Sequence, residues 1–378
     1  MIIMINLVLY RKYRPKTFAE ITGQEHVVQT LTNALSSHMV SHAYLFCGPR
    51  GTGKTTIARL LAKAVNCENR KEGTAEPCNQ CSSCNEINES RAIDLIEIDA
   101  ASNRGVDEIR DLRDGIRFRP TKSKYKVFII DESHQLTKEA ANALLKTLEE
   151  PPSHAIFILA TTEIHKMIPT IVSRCQRFDF RKLTLPEIIR RLEIIAQKEK
   201  VKIERPALEL IALNSGGSIR DAEGLLDQAL TFAGTLGQEQ LLKAENIKEL
   251  LGMVDTKLVG ELVDFICQKK GGEALDFLNK ILEKGKDVQE LTKALIHYLR
   301  QGLILKIAPD LQNPIIAGLA QEEQQKLQAQ VAGFEEAELR RILKLFLEAE
   351  NRMKYSSIPQ LPLELAIIEA LEKEEKIR

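Results

Sequence analysis

A chain of 378 residues is too long for one ordinary core, and at about 150 residues per domain it is expected to fold as two or three. Lys and Arg total 53, and Asp and Glu also total 53, so no net charge draws nucleic acid from a distance and any DNA contact must use a local basic surface. Hydrophobic content of 44% suffices for globular packing, no uninterrupted apolar run of about 18 residues suggests a membrane span, and the crowding of four of the seven cysteines suits a metal site in a reducing cytoplasm better than an extracellular disulfide framework.

The opening run Met1 to Leu9 is apolar, but Arg11, Lys12 and Arg14 follow it rather than precede it, and no small-residue cleavage site appears. It is read as an extra start codon or a short first strand, not as a signal peptide. From Ala43 to Phe180 short apolar runs alternate with helical patterns, which predicts an α/β domain with a parallel sheet covered by helices. The expected strands are Tyr44 to Cys47, Asp94 to Ile98, Lys126 to Ile130, Ala155 to Ala160 and Gln176 to Phe180. Such sheets bind ligands beyond the carboxyl ends of their strands.

At the end of the first of these strands, Gly48-Pro49-Arg50-Gly51-Thr52-Gly53-Lys54-Thr55 matches the phosphate-binding pattern G-x-x-x-x-G-K-[ST]. Thr56 to Val65 continues it as a helix with Ile57, Leu60, Leu61 and Ala64 at helical spacing. The glycines let backbone N–H groups and the helix N-terminus face phosphates, and the loop through Thr56 is the expected nucleoside-triphosphate-binding set. Lys54 is expected at the β and γ phosphates and Thr55 on Mg²⁺.

Cys67, Cys78, Cys81 and Cys84 follow with the spacing C-x10-C-x2-C-x2-C. Four thiolates suit a closed tetrahedral Zn²⁺ site with no open position for catalysis. An iron–sulfur run would need a cysteine at position 88, where Asn88 stands, so zinc is favoured over a cluster and over unligated thiols. Cys47, Cys175 and Cys267 belong to other elements and are expected to pack as small apolar residues. Val106 to Phe118 reads as a helix with Val106, Ile109, Leu112 and Ile116 inward and Arg110, Arg113 and Arg117 in a stripe that could follow a phosphate backbone. Asp107, Asp111 and Asp114 interleave with it, so a salt-bridged solvated face competes with that reading. Arg104 and Lys138 are further candidate DNA contacts.

Val127 to Glu132 is an apolar strand ending in two acids, as a Walker B element does. Asp131 is expected to hold Mg²⁺ and Glu132 to polarise the attacking water. Ala160-Thr161-Thr162 closes the next strand, where a hydroxyl could sense the γ-phosphate. Arg174, in Ser173-Arg174-Cys175, and Arg220, in Ser218-Ile219-Arg220-Asp221, each read either as surface residues or as arginines that meet a nucleotide, and periodicity does not decide between the two. About three amphipathic helices are expected from Pro186 to Gly234, with Pro206 near the start of one and Gly216-Gly217-Ser218 as a turn and N-cap. The pattern stays helical from about Glu245 to Arg378 without a chemical motif.

These motifs, together with Tyr13-Arg14-Pro15, Gly23-Gln24-Glu25-His26, Asp94 to Ser102 and Asn142 to Pro152, resemble the gamma/tau family of bacterial DNA polymerase III, the ATPases of the replicative sliding-clamp loader. The resemblance implies an AAA+ nucleotide-binding domain over residues 1–182 with a zinc module at 67–84, a three-helix lid over 183–244 and a helical collar over 245–378 that joins subunits into a ring-like pentamer. It also implies that Arg174 is a finger acting on a neighbour's ATP, that Thr162 is a first sensor and that Arg220 is a second sensor in cis. The implied partners are delta and delta-prime subunits, further gamma/tau copies, the beta sliding clamp and primer–template DNA, in the cytoplasm. Polymerase core and helicase are implied only through a longer tau-type tail, and the chain stops where the collar is expected to end. The spacer Glu68 to Pro77 is slightly longer than in familiar members, a change a loop tolerates at small entropic cost.

Overall fold

Five short runs rich in β-branched and aromatic residues form one parallel sheet in the computed structural model, which describes residues 7–102, 115–116, 118–236, 241–252, 255–308 and 321–372. The strands are β1 (Ala43–Cys47), β2 (Leu95–Asp99), β3 (Lys126–Asp131), β4 (Ala155–Thr161) and β5 (Gln176–Asp179), in the order β2-β3-β4-β1-β5. All five match the expected runs to within a residue at each end. β1, β3 and β4 are buried on both faces, as central parallel strands must be when helices cover them. Alternate side chains feed two cores. Tyr44, Phe46, Val127, Ile129, Ile156 and Ile158 point one way, and Leu45, Phe128, Ile130, Phe157 and Leu159 the other.

Helices α1 (Leu9–Lys12), α2 (Glu25–Ser36), α3 (Lys54–Val65), α4 (Ser82–Asn88), α5 (Lys138–Glu149) and α6 (Pro169–Val172) accompany the sheet. The expected first strand in the opening run lies largely outside the described residues, and the described part enters a helix at Leu9. The expected helix of residues 106–118 also lies outside them for the most part, although Ile116 is buried as that pattern requires. After β5 come α7 (Leu185–Lys198), α8 (Arg205–Asn214) and α9 (Ile219–Leu236), with Pro186 and Pro206 in the first turns of α7 and α8. One departure from an all-helical continuation is an isolated parallel bridge between Ile203 and Leu242.

The chain divides into two compact units, Met1–Ala244 and Glu245–Arg378. The second contains helices α11 (Thr256–Cys267), α12 (Gly271–Glu283), α13 (Val288–Ile307), α14 (Gln321–Ala332), α15 (Glu336–Met353) and α16 (Leu361–Leu371), with α10 (Ala244–Leu250) at its start. Its core is mostly aliphatic, built on Leu262, Leu278, Leu295, Leu327, Ile342 and Leu363 around the buried ring of Phe346. A half-buried polar network borders it: Gln330 accepts a hydrogen bond from Tyr298 Oη at 2.6 Å and donates to Gly260 O at 2.9 Å and Asp264 Oδ1 at 2.6 Å. No helix among the described residues is long and apolar enough to cross a membrane.

Candidate nucleotide site and metal module

The strand order sets β3, β4 and β1 side by side, so the residues that follow them converge at one edge of the sheet. Gly48 leaves β1 at φ 147°, and a β-carbon there would lie 2.3 Å from Phe180 O, so only glycine fits so close to the end of β5. Lys54 opens α3 and folds back across the loop, donating from Nζ to Gly48 O at 2.7 Å and Pro49 O at 2.8 Å. Its burial pulls the ammonium below its ordinary pKa, and the nearby Glu132 and Asp131 carboxylates pull the other way. Thr55 Oγ1 donates to Asp131 Oδ2 at 2.7 Å, bringing together the hydroxyl and the carboxylate expected to share a divalent cation.

Glu132 has a left-handed backbone, φ 47°, a conformation that costs a non-glycine residue about 1 kcal/mol. The turn aims its carboxylate at the end of β4, where Oε2 accepts from Thr162 Oγ1 at 2.8 Å and Thr162 N at 3.3 Å. His134 Nδ1 lies 2.9 Å from Thr161 Oγ1 and 3.5 Å from the same Glu132 oxygen. The acid expected to handle water and the threonine expected to sense phosphate are therefore in direct contact. His134 went unnoticed in the sequence, where nothing in its spacing distinguishes it from a surface histidine.

Lys54, Thr55, Asp131 and Glu132 line a cleft of about 680 Å³ that also takes in Arg50, Gly51, Thr52, Gly53, Thr56 and Arg220, while Thr162 and His134 stand behind Glu132 and do not line it. Arg220 stands in the first turn of α9, and its guanidinium lies 4.9 Å from the centroid of the Tyr10 ring. The loop meets α9 directly: Ile219 N donates to Gly51 O at 3.1 Å, and a β-carbon on Gly51 would fall 1.9 Å from Ser218 Oγ. An N-terminal strap forms another wall, with Tyr10, Arg11, Arg14, Pro15, Ile21 and Thr22 facing the cleft. Burial lowers the pKa of Arg14, and the charge of Arg59 adds to that effect. Arg191 of α7 ties the strap to α9: Nε donates to Glu223 Oε1 at 2.8 Å, both side chains being buried, and Nη2 donates to Tyr13 O. Sequence reading missed the strap as a wall because no spacing links residues 10–22 to the phosphate loop.

Arg174 does not line this cleft. Just past α6, its Nη2 meets Glu149 Oε1 at 2.5 Å and its Nη1 donates to Thr170 O at 2.8 Å, on a partly exposed surface. Lys138 is exposed at the start of α5. Arg104, Arg110, Arg113 and Arg117 lie outside the described residues.

The four cysteine sulfurs of the module lie within 4.8 Å of one another. Tetrahedral thiolates at about 2.3 Å from zinc stand about 3.8 Å apart, and Cys78 Sγ is 3.9 Å from Cys84 Sγ. Backbone N–H groups already face the sulfurs, with Cys78 N on Cys67 Sγ at 3.3 Å, Cys81 N on Cys78 Sγ at 3.3 Å and Cys84 N on Cys81 Sγ at 3.4 Å. Burial opposes ionisation of Cys78, but the N–H groups of Gln80 and Cys81, together with the neighbouring Cys67 and Cys81 side chains, bring the thiol to about 6. Elsewhere burial pushes Cys47 to about 11, Cys175 to about 12 and Cys267 to about 11, as packed thiols behave. The donor set fits a structural zinc ion. Asn88, which breaks the iron–sulfur spacing, instead accepts from Lys63 Nζ at 3.0 Å.

The parallel sheet, the phosphate loop, the acid pair and the helical lid define an AAA+-type P-loop fold. Three family models match the chain: DNA polymerase III delta subunit over residues 23–184, the clamp loader ATPase lid domain over 187–235, and domain III of DNA polymerase III subunits gamma and tau over 242–377. Among curated proteins, DNA polymerase III subunit tau of Bacillus subtilis is 45% identical over 95% of this chain and 62% of its own length, and subunit tau of Escherichia coli 42% identical over 80% and 46%. DNA polymerase III subunit gamma of Buchnera aphidicola subsp. Schizaphis graminum is 35% identical over 96% of this chain and 98% of its own length. The chain belongs to the DNA polymerase III gamma/tau family. It spans about half to two thirds of the length of the tau relatives it matches.

Proposed function

We propose that the chain is an ATPase subunit of a bacterial replicative clamp loader. The observation that carries this reading is the meeting, in one cleft, of Lys54, Thr55, Asp131, Glu132 and Arg220, while Arg174 lies outside it. ATP would lie with its phosphates on the loop from Gly48 to Thr56, and Mg²⁺ would be held by Thr55 and Asp131. Lys54 would neutralise charge on the β and γ phosphates. Glu132 would accept the proton of the attacking water, with Thr162 reporting on the γ-phosphate and Arg220 on the nucleotide from the lid. Arg174 would reach the ATP of a neighbouring subunit, which makes hydrolysis depend on assembly.

Residues 1–182, 183–244 and 245–378 would serve as ATPase domain, lid and collar. The collar would associate with further gamma/tau copies and with delta and delta-prime, and α16 supports this with Leu361, Leu365 and Ile368 exposed at helical spacing. ATP binding would assemble a spiral that opens the beta clamp and grips primer–template DNA through its backbone. Hydrolysis would release the clamp. Such a subunit counts among DNA-directed DNA polymerases only through membership of the polymerase III holoenzyme, with polymerase core and helicase as partners of a longer tau-type form. The thiolate module would hold Zn²⁺, and the setting would be cytoplasmic.

The test is steady-state ATP hydrolysis with delta, delta-prime, clamp and primed DNA, for the unmodified chain and for Arg174→Ala. A finger in trans is worth about 10³-fold or more, so Arg174→Ala should abolish stimulated turnover while still binding ATP like the unmodified chain. Equal stimulated rates would sink the trans assignment.

A further inference from the structure

Further along the helix that begins at Lys54, Lys63 is 2% exposed, and its ammonium has a use for each of its three protons. Nζ donates to Lys16 O at 2.7 Å, Asn79 Oδ1 at 2.7 Å and Asn88 Oδ1 at 3.0 Å. Asn79 follows Cys78, and Asn88 ends the helix that carries Cys84. The cysteine module reaches the same N-terminal segment a second time through Glu76, whose carboxylate accepts from Phe18 N and Ala19 N at 2.9 Å each. Phe18 and Ala75 are buried in one cluster at this contact. The pinned stretch, Lys16 to Ala19, lies between the two parts of the strap that face the nucleotide cleft, Tyr10 to Pro15 and Ile21 to Thr22.

We propose that the thiolate module braces the nucleotide site: through Lys63 and Glu76 it sets the position of the strap, and metal at Cys67, Cys78, Cys81 and Cys84 thereby raises affinity for ATP. The proposal rests on the nucleotide-site reading above and gives the metal a task other than chemistry. A structural zinc ion supplies folding free energy to the loops that ligate it, so its loss releases Asn79, Asn88 and Glu76 from fixed positions. Lys63 is then a buried cation short of partners, a state a protein relieves by local rearrangement. The segment that rearranges is the one carrying Arg14 and Tyr10 to the cleft. Lys63 and Glu76 do not line the cleft and act as positioning residues.

The experiment titrates the full chain with a fluorescent ATP analogue and Mg²⁺, and measures zinc by elemental analysis. The samples are the unmodified chain, Lys63→Met, Glu76→Gln and chelator-stripped protein. Both variants should keep the zinc content and the binding stoichiometry of the unmodified chain while Kd rises roughly five- to thirty-fold, since only part of the lost bracing energy is felt at the cleft. Stripping should raise Kd similarly, and restoring Zn²⁺ should reverse it. Glu76→Gln, a near-isosteric change at a half-buried site, keeps the test open if Lys63→Met does not fold. An unshifted Kd in Glu76→Gln or in stripped protein, with tight binding by the unmodified chain, overturns the brace alone. An unmodified chain that binds no analogue overturns the nucleotide reading, and the brace with it.

Discussion

The two units solve different problems with the same alphabet. In Met1–Ala244 polar side chains are drawn inward: Lys54 and Lys63 are both less than a tenth exposed, and at the carboxyl ends of the strands Thr55 bonds to Asp131 and Thr162 to Glu132. In Glu245–Arg378 the described core is a continuous, mostly aliphatic cluster, with a polar network around Gln330 at its margin. Chemistry needs particular atoms at particular distances, so residue types in the first unit are constrained one by one. Packing needs volume and apolarity, which many sequences supply.

The largest effect expected from that contrast is in the second core. Phe346→Ala removes a fully buried ring and should cost that unit about 3–5 kcal/mol, read by chemical denaturation, with the ATP analogue still bound at the original Kd. The contrast breaks if nucleotide affinity falls as well. Next is the contact between phosphate loop and lid. Gly51→Ala places a methyl group on Ser218 Oγ at φ 74°, and should destabilise the first unit by about 1–3 kcal/mol and weaken nucleotide binding. Adding Ser218→Gly should recover only part of the loss, since relief of the clash leaves the backbone strain, and full recovery would show that the left-handed backbone carries no cost there.

The smallest effect concerns the start of α7. The Arg181 guanidinium, bonded to both carboxylate oxygens of Glu187 at 2.6 and 2.8 Å, holds that acid at about 2. A carboxylate lowered in the folded state stabilises above its unfolded pKa and loses that contribution as pH falls toward the folded value. The melting temperature of Glu187→Gln should therefore lie below that of the unmodified chain at pH 7, with the gap narrowing below about pH 4.5 and closing near pH 2. A gap independent of pH would assign the effect to the shape of the side chain rather than its charge.

What could be read in advance follows the same division. The phosphate loop, the acid pair, the five strands and the cysteine spacing were legible because each is a local pattern with a fixed period or spacing. Strand order was not, since crossovers between parallel strands leave the neighbour of each strand open. The contact between Thr162 and Glu132 depends on that order, because β4 must lie beside β3. Lys63 was equally hidden: a lysine near the end of an amphipathic helix reads as solvated, and only tertiary packing shows its ammonium enclosed by Lys16, Asn79 and Asn88. The helical unit was legible as helices and no further, because its core pairs apolar faces that have no individual signature.

The hydrogen bond from Ile219 N to Gly51 O gears α9 to the phosphate loop. The first residue of α9 donates to a peptide carbonyl of the loop from Gly48 to Thr55, with Ser218 filling the space a side chain on Gly51 would need. A tilt of α9 must either carry Gly51 with it or break that bond. Under the nucleotide reading proposed above, a shift of the loop on loss of a phosphate would be passed directly to the root of the 18-residue α9 through this bond.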